Sequence, residues 1–333
     1  VLPISSDPAE AARVIAALRP DEPLEDEEVC LVVPTSGSTG EPKGVLLTAA
    51  SLQASGDAAV ARLGGPGQWH LAIPVTHIGG LQVLLRSLAD GEEPVTSFDQ
   101  LGTGRRYVSL VPTQLRRLLA SDPDQLASYD AILLGGAAAP AALLAEARAE
   151  GCTVITTYGM SETSGGCVYD GMPLEGVTVE ARERIVLSGA VVARGYRLRP
   201  DLTAASFDGD RFTTSDLGTL QDGVLTVLGR ADDLIVTGGE KVAPAAVEAA
   251  LSEHPSVADV AVVGRLDPEW GSRVAAFVVL RPGTELGLEQ ARSWVAQRVS
   301  RVAAPRTVTV LDALPLLPGG KVDRAALGRT VTP

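Results

Sequence analysis

The sequence predicts an α/β protein in two parts: a large N-terminal α/β domain with mixed sheets and a β-rich portion, and a small C-terminal α+β domain joined to it by a hinge. Three features predict it. Over the first half, short apolar runs alternate with helix-like segments, the rhythm of βαβ units in a parallel or mixed sheet covered by helices. From about Glu175, short strand-like runs follow one another between Gly and Asp turns. After Lys241, helix and strand patterns alternate again over about 100 residues, enough for a separate compact domain.

The elements can be taken in order. CLVVPTSGSTG reads as a strand entering a polar loop, and RRYVSLVPTQLRRLLAS as a strand, a Pro-Thr helix start and an amphipathic helix. AILLGGAAAPAALLAEARAEG repeats that order with a glycine turn, and TVITTYGMSET is a further strand running into a loop. ERIVLSGAVVARGY and DGVLTVLGRADDLIVTGG supply the short strands of the β-rich portion. PAAVEAALSEH then reads as helix, VADVAVVGRLD and RVAAFVVL as strands, LGLEQARSWVAQRVS as helix and RTVTVLD as strand. The boundary is placed at GRADD, giving domains 1–231 and 232–333. The acidic stretch from Pro3 to Glu28 is expected to pack loosely.

Composition narrows the function. With 333 residues, 45% hydrophobic and 21% charged, the chain has ample material for a folded core. A net charge of -13 argues against an extended nucleic-acid surface or docking on anionic membrane, while leaving room for a local basic pocket. Cys30, Cys152 and Cys167 lack metal-ligand spacing and are too few for a disulfide framework, which points to a reducing cytoplasm. Acidic residues arrive early and no apolar run follows a basic start, so no signal peptide is expected. No apolar stretch reaches membrane-spanning length. A cytoplasmic monomer or homodimer acting on small molecules is the expectation.

The most informative stretch is TSGSTGEPKG, Thr35 to Gly44. Its glycines let backbone N–H groups approach phosphate oxygens. Thr35, Ser36, Ser38 and Thr39 add hydroxyls, and Lys43 adds a positive charge. It is not a Walker A loop, because Lys43 is followed by Gly44 and the glycine–lysine order differs. A plain Gly/Ser turn would look similar, so the loop needs company.

That company is present. With TSGSTGEPKG stand YGMSET (Tyr158 to Thr163), TSDLG (Thr214 to Gly218), GRADDLIVTGGEKV and LPGGKVDR. These five motifs, in this order, resemble the superfamily of acyl-CoA synthetases, adenylation domains and luciferases. The resemblance implies ATP, Mg²⁺ and coenzyme A as cofactors and cosubstrate, with nucleotide contacts from Thr35, Ser36, Gly37, Ser38, Thr39, Gly40 and Lys43. It also implies an adenine slot from Gly135, Gly136, Ala137 and Tyr158, continued by Gly159 and Met160, and an α-phosphate contact from Ser161. Glu162 is then the Mg²⁺ ligand, a role suited to a hard oxygen donor. Asp216 binds the ribose with Arg230 in support, Lys321 is catalytic at the α-phosphate, Asp232 is the hinge, and Gly238, Gly239 and Glu240 form a loop on the coenzyme A side. Singly, each has a plainer reading: Asp216 suits a turn cap, Glu162 a helix cap and Lys321 a solvated surface position.

The acyl segments PVTHIGGLQVLLRSL, SLVPTQLRRLL and YGMSETSGGCVYDG resemble the o-succinylbenzoate–CoA ligase branch of that superfamily. Such an acid has two carboxylates, one to react and one to be recognised, which calls for a cation in an apolar pocket. Arg86 is the candidate, with Ser109 as a further contact and His77 lining or gating the acyl tunnel and counted with Lys321 among the catalytic candidates. The competing readings are an arginine snorkelling from a helix end and a core histidine. Cys167 is expected to pack, not react. Only 34 residues precede Thr35, where most members of that superfamily have a long region, so the chain is read either as a short form or as a trimmed one. Ligases for other aryl or medium-chain acids, stand-alone amino-acid adenylation domains and an AMP-sensing protein without catalysis remain the alternatives.

Overall fold

The computed structural model describes residues 1–36, 42–316 and 322–329. The chain divides into two compact units. One comprises Val1–Ala139, Ala147–Thr214 and Leu220–Leu225; the other comprises Pro140–Glu146, Ser215–Thr219 and Thr226–Pro333.

The first unit holds three sheets. One is β1 (Val29–Ser36), β2 (Pro42–Thr48) and, later in the chain, Gly195–Tyr196. The second is six-stranded and consecutive: β3 (Gln68–His70), β4 (Arg106–Leu110), β5 (Ala131–Leu134), β6 (Val154–Met160), β7 (Gly165–Tyr169) and β8 (Met172–Pro173). β3 to β6 are parallel, and β7 and β8 turn back antiparallel. This is the mixed sheet expected of the βαβ rhythm. The third is built from β9 (Thr178–Ala181), β10 (Ile185–Ser188), β12 (Phe207–Asp208) and β13 (Arg211–Thr213), with β11 being Gly195–Tyr196 in the first sheet. It is the β-rich portion. Leu31, Val33, Val45 and Leu47 alternate onto a core shared with Ile185, Leu187, Val191 and Phe212, as a period of two requires.

The helices of this unit bury one face each. α1 (Pro8–Leu18) starts at Asp7, whose carboxylate accepts from Ala9 N at 3.0 Å, with Pro8 opening the helix. α2 (Ala49–Arg62) starts at Thr48, whose side chain caps Ser51 N at 3.1 Å. α3 (Ile78–Ala89) buries Leu81, Gln82, Val83 and Arg86.

The acidic N-terminus is largely exposed, as its composition suggests, yet it is anchored. Val14 and Leu18 of α1 join Val29, Val32 and Leu46 in one cluster. Arg197, 2% exposed at its side chain, donates from Nε to Leu18 O at 3.0 Å and from Nη2 to Arg19 O and Glu22 O at 2.9 and 2.8 Å. It also meets Glu25 at 3.0 Å. One buried guanidinium thus collects the carbonyls left over at the end of α1, a long-range contact invisible in a window of sequence.

The second unit is α+β. β16 (Ile235–Thr237), β17 (Glu240–Val242), β18 (Val257–Asp267), β19 (Gly271–Leu280) and β20 (Thr307–Val310) form a sheet in the order β17-β16-β19-β18, with β20 parallel to β19. The remaining pair, Asp216–Gln221 and Val224–Arg230 (β14 and β15), makes a two-stranded hairpin whose residues are divided between the two units, Leu220–Leu225 counting with the first. Helices Pro244–Ser252 and Leu288–Arg298 cover one face of the β16–β20 sheet through Val247, Leu251, Ala291 and Val295, against Val262, Val274, Ala276 and Val278. The other face carries Ala261, Val263, Ala275 and Phe277, with Leu314 and Leu327. Among the described residues no helix is long and apolar enough to cross a membrane.

Burial works against ionisation of Glu25, but Leu198 N at 2.7 Å and the Arg197 guanidinium outweigh it and hold the carboxyl below its usual range. A depressed carboxyl stabilises the fold above its unfolded value of about 4.3 and loses that contribution as pH falls through the folded value. Glu25→Gln should therefore lower the Tm by on the order of 1–2 °C at pH 7, given the partial exposure of the pair. The gap from the parent protein should close below about pH 4, as followed by circular dichroism.

Candidate active site

β1 and β2 bring the two ends of the glycine loop together: Thr35 pairs with Lys43 and Ser36 with Pro42, and the Thr35 hydroxyl donates to Lys43 O at 3.3 Å. Gly37, Ser38, Thr39 and Gly40 lie outside the described residues, as does Lys321. The hairpin fixes where Lys43 leaves the backbone. Its Nζ donates to Glu162 Oε1 at 3.0 Å and to the Tyr196 hydroxyl at 3.0 Å, standing 4.2 Å from the Tyr196 ring centroid. Tyr196 closes the triangle by donating to Glu162 Oε1 at 2.8 Å. Tyr196 sits on the short strand Gly195–Tyr196, which pairs with β2 at Val45.

Glu162 is held by an unusual reversal. β6 ends at Met160, and Ser161–Thr163 form one turn of 3-10 helix before Ser164 adopts φ 55°. The Thr163 hydroxyl accepts from Met160 N at 3.0 Å and bonds Gly165 O at 2.9 Å. Gln82 Nε2 reaches from α3 to Ser164 O at 2.7 Å, while Ser164 Oγ donates to Val191 O at 2.8 Å. Ala193 N donates to Glu162 O at 2.9 Å. The chain returns so closely that a Cβ at Gly159 would stand 2.2 Å from Gly165 O. Glu162 and Ser161 are consequently 6% and 7% exposed.

Ser109, the Gly135–Ala137 segment and Tyr158 lie at or just beyond the carboxyl ends of the parallel strands, the usual position for ligands in an open α/β sheet. Ser109, 8% exposed, lies on β4 opposite Leu133 of β5. Gly135, Gly136 and Ala137 follow β5. Gly135 N donates to Leu110 O at 3.1 Å, and a Cβ there would meet Thr157 Oγ1 of β6 at 2.3 Å. Tyr158 follows Thr157 on β6 and pairs with Val168 of β7.

His77 is exposed at the N-cap of α3, so it is not a core histidine. Arg86 does not snorkel: it is 4% exposed, with its guanidinium 4.8 Å from the Trp69 ring centroid and beside the buried Tyr169 hydroxyl. Its Nε has no hydrogen-bond partner, and among the described residues no carboxylate pairs with it. A buried guanidinium without a counter-charge is costly on its own and is a ready receptor for an anion. Cys167 is fully buried, and burial pushes its thiol up to about 12, which makes it an inert packing residue.

In the second unit Asp216 stands 3.6 Å from Arg230 Nη1, and Arg230 Nη2 donates to Asp232 at 3.2 Å. Gly238 and Gly239, at φ 58° and 83°, make the two-residue turn between β16 and β17, with Thr237 opposite Glu240. The segment that carries Lys321 is flanked by a bridge between Leu316 and Val322. Beyond it, the Arg324 guanidinium forks onto Glu248 at 2.6 and 2.9 Å. Tyr196, Gln82 and Arg324 were not singled out from the sequence. A polar residue inside the apolar run of α3 was the one signal for Gln82.

Among the described residues no group of three or more His, Cys, Asp or Glu gathers. A single buried carboxylate next to a phosphate-type loop fits Mg²⁺, which binds through one or two carboxylates and completes its shell with water and substrate phosphates.

Residues 2–193 match the family model described as AMP-binding enzyme, and residues 246–321 match that of the AMP-binding enzyme C-terminal domain. The probable 2-succinylbenzoate–CoA ligase of Mycobacterium tuberculosis (strain H37Rv) is 50% identical over 97% of this chain and 89% of its own length. The 2-succinylbenzoate–CoA ligase of Geobacillus kaustophilus is 35% identical over 92% and 70%. Among solved structures, o-succinylbenzoate CoA synthetase from Bacillus subtilis in complex with its acyl-adenylate intermediate superposes with a TM-score of 0.78. Its identity is 30%, covering 93% of this chain and 71% of that one. The same enzyme with ATP and magnesium gives 0.77 at 30% identity, covering 91% and 70%.

Gly159→Ala should lower the unfolding free energy by about 2–3 kcal/mol, because the backbone contact with Gly165 cannot relax without moving the Glu162 turn. Urea denaturation measures it; an unchanged midpoint would mean that the turn is not held by this approach.

Proposed function

The chain belongs to the AMP-binding enzyme family, and from that membership we propose that it activates o-succinylbenzoate with ATP and transfers the acyl group to coenzyme A. The substrate carboxylate attacks the α-phosphorus, pyrophosphate leaves, and the coenzyme A thiol then displaces AMP from the acyl-adenylate. The observation that carries the choice of acid is Arg86, buried against Trp69 and Tyr169 with no carboxylate of the described protein to neutralise it. A second carboxylate on the substrate meets that need. The names of the Mycobacterium and Geobacillus relatives, and the acyl-adenylate held by the Bacillus enzyme, support the same reading.

Within this reading Thr35 to Gly40 and Lys43 bind the phosphates, Gly135 to Ala137 and Tyr158 to Met160 hold the adenine, and Ser161 contacts the α-phosphate. Glu162 is the ligand for Mg²⁺, which when bound neutralises charge on the departing pyrophosphate. Asp216 accepts from the ribose hydroxyls with Arg230 oriented beside it, and His77 and Ser109 line the acyl site with Arg86. Lys321 stabilises the charge developing between carboxylate and α-phosphate. Residues 232–333 act as the mobile domain, hinged at Asp232. They present Lys321 for the first half-reaction and Gly238, Gly239 and Glu240 for the second. The net charge of -13 supports a small-molecule substrate over nucleic acid, and three cysteines without a disulfide framework support a cytoplasmic location.

Incubation with Mg-ATP, coenzyme A and a panel of carboxylic acids, with thioesters identified by mass, should yield o-succinylbenzoyl-CoA in preference to every other product. A preference for a monocarboxylic acid would overturn the reading. Arg86→Leu should raise the KM for o-succinylbenzoate by about 10- to 1,000-fold, as expected for a lost charge-assisted contact, and leave that for ATP within about twofold. Parallel changes in both would assign Arg86 a structural role. Lys321→Ala should abolish adenylate formation and spare thioester formation from supplied acyl-adenylate.

A further inference from the structure

Glu162 already has a cation. Its side chain is 8% exposed, and Oε1 takes both the Lys43 ammonium at 3.0 Å and the Tyr196 hydroxyl at 2.8 Å. Lys43 is also bound to the Tyr196 oxygen at 3.0 Å and lies over its ring, with 23% of its side chain exposed. The three groups come from three separate segments and form a closed triangle. The residue read above as the metal ligand is thus paired with Lys43, the lysine of the phosphate-loop motif.

We infer that Lys43 is an exchangeable placeholder on Glu162: it occupies the carboxylate until a divalent cation takes its place, and is thereby released toward the nucleotide phosphates. This inference rests on the reading of Glu162 as the metal ligand. A divalent ion and an ammonium sharing one carboxylate oxygen repel each other strongly in a site of low dielectric, so the two occupants exclude one another. Without any cation the carboxylate would be buried with no counter-charge, which is strongly unfavourable. The placeholder therefore keeps the carboxylate paired and in position, while lowering its affinity for metal that arrives without nucleotide. Tyr196 is the positioning residue of the exchange. Its hydroxyl donates to Glu162 Oε1, and its ring offers the departing ammonium a face. Tyr196 is 3% exposed and packs edge-on against Phe207 at 5.2 Å between centroids, so it has little freedom to follow Lys43.

The experiment is Mn²⁺ binding to the nucleotide-free full chain, read by electron paramagnetic resonance, in four proteins. The parent should bind Mn²⁺ weakly at this site, and Lys43→Met should bind it at least tenfold more tightly. Unchanged or weaker binding in Lys43→Met overturns the exchange. Tyr196→Phe, which keeps the ring, should weaken Mn²⁺ binding in the presence of ATP severalfold while leaving metal-free ATP affinity in place; equal loss of both would mean a purely structural tyrosine. Glu162→Gln separates the two layers of the argument. If it abolishes Mn²⁺ binding, the ligand reading stands and the exchange is judged on Lys43→Met alone. If it leaves binding intact, the ligand reading itself fails and the exchange with it.

A second measurement needs no variant. The chain has three lysines, Lys43, Lys241 and Lys321, so amine acylation followed by peptide mass analysis reads each one separately. Millimolar Mg²⁺ without nucleotide should increase labelling of Lys43 severalfold relative to Lys241. Unchanged labelling of Lys43 overturns the proposal.

Discussion

A carboxylate cannot be buried alone, and the candidate site is organised around the burial of Glu162. Three groups meet that requirement: Lys43 supplies charge, Tyr196 supplies a hydrogen bond, and the Met160–Gly165 reversal supplies the position. Each depends on a different part of the fold. Lys43 depends on the β1–β2 register, and Tyr196 on the third strand added to that pair. The reversal depends on the end of the parallel run at β6 and on Gln82 reaching across from α3. Remove the sheet pairing and the charges have no reason to meet.

α3 links this cluster to the acyl side. Gln82 and Arg86 are one helical turn apart and so lie on one face. Gln82 is spent on backbone: it donates to Leu52 O at 3.2 Å as well as to Ser164 O. Among the described residues no carboxylate pairs with Arg86, which lies against Trp69 and Tyr169. A single helix thereby ties down the turn that carries Glu162 and also presents the buried Arg86.

Much of this was legible in the chain. A continuous apolar run located the strand Ala131–Leu134, which is buried along its whole length, and the 3.6 period located the helix Pro112–Ser121, because burying one face of a helix imposes that spacing locally. The motifs named Lys43, Ser161 and Glu162 because their chemistry is carried by residue type and short-range spacing. The acidic stretch before β1 is largely exposed, as its composition suggests, yet it is anchored at Val14, Leu18 and Glu25. Its anchor, Arg197, lies 172 residues from Glu25, and composition does not reveal a distant guanidinium.

By itself the sequence determined the kinds of element, their order, and which residues bear charge or a hydroxyl at a phosphate-type loop. Tertiary structure alone decided the partners. Lys43 and Glu162 are 119 residues apart, and Lys43 and Tyr196 are 153 apart. It also decided that Arg86 is buried instead of snorkelling, since that depends on Trp69 and Tyr169 covering it. The physical reason is range. Periodicity and turn chemistry act over a few residues, whereas the neutralisation of a buried charge depends on whichever side chain the sheet topology delivers.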